Sequence, residues 1–128
     1  MIVRRLKGRR KVSKIDGIGG LFFRARDPEA LGKWYETHFG LESGAPFTQS
    51  EGPTVFALFP EDTDYFPADR QWMVNFRVTD LDATIARLEA AGIAVETRPD
   101  EWDDPQVGRF ARIHDPEGNQ IELWQPPE

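Results

Sequence analysis

The feature that most constrains this chain is that it repeats itself once. The string Phe23-Arg24-Ala25-Arg26-Asp27 returns 53 positions later as Phe76-Arg77-Val78-Thr79-Asp80. That period is longer than a solenoid repeat and occurs only twice, so it describes two copies of one structural unit. Each copy ends an apolar, strand-like run with an aspartate placed to cap a helix, its carboxylate accepting a hydrogen bond from a free backbone N–H. Pro28 follows the first aspartate at a helix start, where its missing N–H costs nothing.

The spacing predicts a first helix over about residues 28–38, with Leu31, Trp34, Tyr35 and Phe39 forming one apolar stripe and Gly40 ending it. It predicts a second over about 82–91, with Ile85, Leu88 and Ala91 inward, Arg87 and Glu89 outward, and Gly92 as a left-handed stop. Strand-like pieces follow each helix, around 41–48 and 54–60 in the first half and 94–97, 109–114 and 120–125 in the second. The turn Asp115-Pro116-Glu117-Gly118-Asn119 before the last piece is rich in tight-turn residues. Residues 61–71 carry Pro67 and little periodicity and read as a link between modules of about 15–60 and 72–126.

A chain of 128 residues buries roughly two-thirds of its unfolded surface, which suits one domain, here 15–128. The net charge of −6 argues against nucleic acid, which needs clustered Lys and Arg. The absence of cysteine excludes a disulfide framework and a thiolate metal site and fits a cytoplasmic protein. No run of eighteen apolar residues is present to span a membrane. Residues 1–14 hold Arg4, Arg5, Lys7, Arg9, Arg10, Lys11 and Lys14 without the apolar stretch of a secretory signal, and read as a basic N-terminal tail.

With the pieces placed, the sequence resembles the vicinal oxygen chelate superfamily, which comprises glyoxalases, bleomycin-resistance proteins and extradiol dioxygenases. The residues that carry the resemblance are Phe22-Phe23-Arg24-Ala25-Arg26-Asp27, Trp34-Tyr35 with Phe39-Gly40-Leu41, Phe76 to Asp82, and above all Asp115-Pro116-Glu117-Gly118-Asn119-Gln120-Ile121-Glu122-Leu123. The resemblance implies an α+β fold of two βαβββ modules, their mixed sheet curled around a central cavity with the helices outside. It also implies frequent dimers, sometimes with cavities built from two chains, and in the enzymes a divalent metal on four side chains.

Mapped onto this chain, those four positions are Gly20, Ala57, Met73 and Glu122. Glycine and alanine offer no ligand atom, and a thioether suits hard or borderline divalent ions poorly. One carboxylate does not hold a metal that takes three or more protein ligands, so no metal and no cofactor are expected. His38 and His114 belong to no spaced cluster and read as surface or packing histidines.

Strand alternation puts Gly20, Phe22, Arg24, Met73, Asn75, Arg77, Val55, Ala57, Phe59, Phe110, Arg112, Gln120, Glu122 and Trp124 on the cavity side. The opposite parity, Leu21, Phe23, Val74, Phe76, Val78, Ile121 and Leu123, is apolar and expected against the helices. An apolar face with sparse polar groups is what a small-molecule pocket needs; the alternative is that the aromatics fill the barrel and the arginines pair with acids. The candidate ligand-binding residues are Phe22, Arg24, Ala57, Met73, Asn75, Arg77, Phe110, Arg112, Glu122 and Trp124. Glu122, the one catalytic candidate, reads either as a buried base or as half of an internal ion pair. Trp102 lies in an acidic connection that reads as a lid or as a flexible loop with one anchor.

Three functions stay open. The first is a metal-independent binder of an apolar or aromatic small molecule, the acidic charge favouring a cationic one, with a homodimer as partner state and no membrane. The second is a lyase, isomerase or dioxygenase-type enzyme with a displaced metal site or Glu122 as base. The third is an accessory domain whose dimer surface matters more than its cavity. No Ser–His–Asp set and no phosphate loop can be assembled.

Overall fold

The two repeat aspartates do the same work in the same geometry. Asp27 caps α1 (Pro28–Phe39) at φ −130°, ψ 87°, its Oδ1 accepting from the Ala30 N–H at 3.0 Å. Asp80 caps α2 (Leu81–Ala90) at φ −131°, ψ 94°, its Oδ1 accepting from the Ala83 N–H at 3.0 Å. Gly40 ends α1 in the left-handed region, at φ +67°, with its N–H on the Glu36 carbonyl. The computed structural model describes residues 14–128, so all but Lys14 of the expected basic tail lies outside the described residues.

Besides these helices the chain forms β1 (Val74–Arg77), the short α3 (Pro99–Trp102), β2 (Arg109–His114) and β3 (Gln120–Gln125). The sheet order is β1-β3-β2, with β1 parallel and β2 antiparallel to the central β3. β3 is buried on both faces through Trp124. Its helix side carries Ile121 and Leu123, which join Leu31, Tyr35, Leu81, Leu88, Ala111 and Ile113 in the main core, with Val74, Phe76 and Val78 packed against it. Full burial of each such Leu or Ile side chain is worth about 1.5–3 kcal/mol. The alternation expected for 73–78 and 120–124 is therefore met on this side.

The Asp115 turn ties the two halves together. The buried Asp115 carboxylate accepts from the Tyr35 hydroxyl at 2.7 Å, from the Glu117 and Asn119 N–H groups at 2.9 and 3.0 Å, and from Asn119 Nδ2 at 2.8 Å. Two residues on, the Glu117 carboxylate accepts from the Arg26 and Asp27 N–H groups at 2.7 and 3.0 Å, and Arg70 Nη2 donates to the Glu117 carbonyl at 2.8 Å. The turn thus holds the entrance of α1 from 90 residues away in sequence.

Three expectations need correction. No strand forms before Val74 among the described residues, although 41–48, 54–60 and the run ending at Phe23 have strand patterning. A strand is defined by a partner, and among the described residues these segments form no ladder with another stretch of backbone. Residues 94–97 contribute one bridge, Glu96 to Arg112, rather than a strand. Ala91 is the exposed C-cap of α2 rather than an inward residue; Leu81, at the opposite end, is buried together with Leu88.

Candidate functional site

The register of the sheet lines up a polar row on the face away from the helices. Asn75 on β1 stands opposite Glu122 on β3, Glu122 opposite Arg112 on β2, and Arg112 opposite Glu96. The adjacent row on the same face is Arg77, Trp124 and Phe110. Side chains directly opposite across strands stand within reach of one another, so residues from three distant stretches of chain become neighbours.

Glu122 is only 3% exposed. One of its carboxylate oxygens accepts from Asn75 Nδ2 at 2.7 Å, and the other accepts from the Tyr65 hydroxyl. Burial raises the Glu122 pKa, while the bonds from Tyr65 and Asn75 and the charge of Arg112 pull it back in part. Burial, with the Glu122 bond, likewise raises the Tyr65 hydroxyl above its ordinary value. Arg112 does not bridge to Glu122: its Nη2 donates to the Tyr65 carbonyl at 3.1 Å and its Nη1 reaches Glu96 at 3.5 Å. Its guanidinium carbon lies 4.8 Å from the Tyr65 ring centroid and 4.7 Å from that of Trp102, a cation held against two aromatic rings.

The floor beside this row is aromatic. Phe110 and Trp124 stack at 6.3 Å with planes 5° apart, and both are buried with Trp102 and Val107, against which Tyr65 packs. The Trp124 indole N–H donates to the Val107 carbonyl at 2.8 Å. Trp102 sits at the end of α3, buried and also within 5.4 Å of the Arg98 guanidinium, so it packs as an anchor of its connection. Met73 is half-buried and receives Gln120 Nε2 at 3.2 Å on its sulfur.

The first half is placed differently. Phe22 is 90% exposed, and Arg24 and Ala57 are exposed; none has a hydrogen bond or ring contact to the Glu122 row among the described residues. Arg24 lines a shallow cleft of about 230 Å³ with Ala25, Arg26, Arg70 and Glu117. Arg77 donates to the Ser50 and Pro53 carbonyls at 2.7 and 3.2 Å. His38 packs its ring 5.1 Å from Trp34, and His114 is exposed at the end of β2.

Tyr65 is the residue that sequence reasoning missed. It lies inside the segment read as a plain link, and the signal was the aromatic pair Tyr65-Phe66 in an otherwise polar stretch. The residues present do not fit a family-type metal. Gly20 and Ala57 have no donor, Met73 offers sulfur, both Glu122 oxygens are engaged, and no group of three or more His, Asp or Glu capable of holding an ion occurs among the described residues.

A testable consequence concerns pH. Because burial raises the folded pKa of Glu122 above its ordinary 4.5, the folded state favours the protonated form. That contribution to stability is present below 4.5 and is lost as pH rises through the folded value. Glu122→Gln is therefore expected to match wild type below about 4.5, to gain on it as pH rises through the folded value and to hold that gain above it, read as urea midpoints. A variant that loses ground as pH rises would show that the ionised carboxylate is net favourable.

Similarity to known proteins bears on the family and the fold. A family model described as a glyoxalase-like domain matches residues 20–124. Over 55 residues, 43% of this chain, the sequence is 46% identical to proteins of Mycobacterium bovis and Mycobacterium tuberculosis named "Putative glyoxylase CFP32"; the chain spans about a fifth of their length, as the match covers 20% of each. Among solved structures it is similar to TnmS3, described as an antibiotic binding protein from Streptomyces sp. CB03234, with TM-score 0.54 and 26% identity over 90% of this chain and 99% of that one. A protein from the mobile metagenome of V. Pseudocholerae superposes with TM-score 0.54 at 17% identity over 89% of this chain and 97% of that one, which attests the fold alone. With the family model covering most of its length on a matching α+β fold, the chain belongs to the glyoxalase-like domain family of the vicinal oxygen chelate superfamily.

Proposed function

We propose that this protein binds an apolar or aromatic small molecule over the Asn75–Glu122–Arg112 row, without a metal, and that it does so as a homodimer. The observation that carries the reading is the state of Glu122: the one ligand-type residue left of the family's four has both oxygens taken by Tyr65 and Asn75, and the Tyr65 ring packs on the cluster of Phe110, Trp124 and Trp102. Sparse polar groups in an aromatic surround orient a small organic ligand. The likeness to a protein described as antibiotic-binding supports the same reading.

The dimer rests on what the first half leaves open. Phe22, Phe56 and Leu58 are 90, 82 and 78% exposed, Leu21, Phe23, Phe47 and Val55 are exposed as well, and so is Trp72 just beyond the link, at 74%. Soluble monomers rarely leave large apolar areas open to water. The counterpart of Phe22–Arg24 in the repeat, Asn75–Arg77, is paired in the sheet, so the same pattern unpaired in the first half calls for a partner strand or face. A second copy, related by a twofold axis, supplies one without any other protein.

A second reading, a lyase or isomerase that uses Glu122 as base, draws on its raised pKa. Native mass spectrometry of protein expressed with added Mn²⁺, Ni²⁺, Fe²⁺ and Zn²⁺, with and without naphthalene-type aromatics, tests the proposal. The expected result is a species of twice the 14.6 kDa chain mass that takes up the aromatic and carries no stoichiometric metal. Near one equivalent of metal, lost on Glu122→Ala, would replace the binder with an enzyme bearing a displaced metal site.

A further inference from the structure

Tyr65 is seated on the polar row as a ligand would be. Its hydroxyl donates to Glu122, whose other oxygen is held by Asn75. Its ring has the Arg112 guanidinium 4.8 Å from its centroid, stacks on Phe59 at 5.8 Å, and meets the Trp102 ring edge-on at 6.2 Å. Yet the backbone of this residue is anchored independently of its ring. The Tyr65 carbonyl accepts from Gln120 Nε2 at 2.8 Å and from Arg112 Nη2 at 3.1 Å, while its N–H is held locally by Thr63 Oγ1 at 3.2 Å. Rotation about χ1, between staggered wells, moves the ring away and leaves both carbonyl bonds in place.

The subsite uncovered by that rotation has a defined chemistry. A carboxylate is acceptor-only, and with Asn75 on one oxygen the other lacks a donor once the tyrosine hydroxyl leaves. A buried acceptor left unpaired is costly, the more so when charged, so an incoming molecule must bring an O–H or N–H to that point. Arg112 supplies a cation to the face of whatever ring enters. Its Nε is buried without a hydrogen-bond partner among the described residues, a donor that nothing in the Tyr65 arrangement satisfies.

We propose that Tyr65 fills a subsite built for an aromatic hydroxyl, and that the ligands of this site are planar aryl alcohols whose ring and O–H take its place. This deepens the binding function proposed above and rests on it. Tyr65 then acts as an internal competitor: it keeps Glu122 paired while the site is empty and yields to a ring that pairs Glu122 equally well and buries more apolar surface.

The test uses the full chain as wild type, Tyr65→Ala and Tyr65→Phe, titrated by fluorescence with 2-naphthol and with 2-methoxynaphthalene, which has the same ring system but no donor. Tyr65→Ala is expected to bind 2-naphthol at least about tenfold more tightly than wild type and at least about tenfold more tightly than it binds the methyl ether, the size expected for one hydrogen bond to a charged group. Tyr65→Phe keeps the ring and loses the competing O–H. It is expected to show the same preference with a smaller gain, and it decides the matter if circular dichroism shows Tyr65→Ala unfolded. Equal affinity for the two probes in the variants overturns the aryl-alcohol subsite and leaves the binding function standing. Binding of 2-naphthol that is no tighter in either variant than in wild type overturns displacement of Tyr65. If neither probe binds any of the three proteins, the binding function itself falls, and this inference with it.

Discussion

Replacing Asp115 with alanine is expected to cost about 3–4 kcal/mol, a large share of the 5–15 kcal/mol that holds a domain of this size. The carboxylate accepts four hydrogen bonds, from the Tyr35 hydroxyl, two turn N–H groups and Asn119 Nδ2, at 2.7 to 3.0 Å. Bonds to a charged acceptor are each worth about 1.5–3 kcal/mol net. Four in one network do not add in full, because the turn relaxes once one is lost. The hydroxyl of Tyr35, a buried residue of α1 whose pKa is raised by burial and by Asp115, would also be orphaned. Tyr35→Phe removes one bond and leaves no orphan on the tyrosine side, so its loss should be near 1 kcal/mol. Urea midpoints of the two variants check the comparison; an Asp115→Ala loss no larger than that of Tyr35→Phe would show that the turn closes without its carboxylate.

Gly108→Ala is expected to cost about 3 kcal/mol and to lower the Tm by roughly 10 °C. Gly108 has φ +128°, and a Cβ there would lie 2.3 Å from the Gln125 carbonyl oxygen and 2.7 Å from Trp124 Nε1. The first neighbour is backbone in the central strand and cannot swing aside. The second is the indole that hydrogen-bonds the Val107 carbonyl and stacks on Phe110. Shifting it disturbs the floor beside Glu122, so near-UV circular dichroism should change along with stability, and binding of an aromatic probe should weaken. A variant with wild-type Tm and spectrum would show that the Asp104–Gly108 turn can move as a unit away from β3.

The repeat and its punctuation were legible in the sequence because they are local. An aspartate before a helical stripe caps a helix whatever lies around it, and Asp27 and Asp80 do so at nearly the same backbone angles. Period-two patterning likewise assigned Val74, Phe76, Ile121 and Leu123 to the helix side, because alternate side chains of a strand must take opposite faces. The Asp115-Pro116-Glu117-Gly118-Asn119 motif was readable as a turn, but not as the hub that reaches Tyr35 and the Arg26 and Asp27 N–H groups, since that depends on what the fold brings beside it.

Only the tertiary structure decided who stands next to Glu122. Asn75 and Arg112 were on the expected face, but parity gives a face and not a register; the alignment of Asn75, Glu122, Arg112 and Glu96 in one row is set by strand pairing across up to 47 residues. Tyr65 had only the Tyr65-Phe66 pair to mark it, because a residue in an aperiodic link has no pattern to announce its direction, and its hydroxyl finds Glu122 57 residues away. Conversely, Phe22 and Ala57 carry the patterning of cavity strands, yet they stand exposed. Sequence determines a strand's readiness to pair, whereas pairing itself needs a second backbone at hydrogen-bonding distance, and for the first half of this chain no described part of the same molecule provides it.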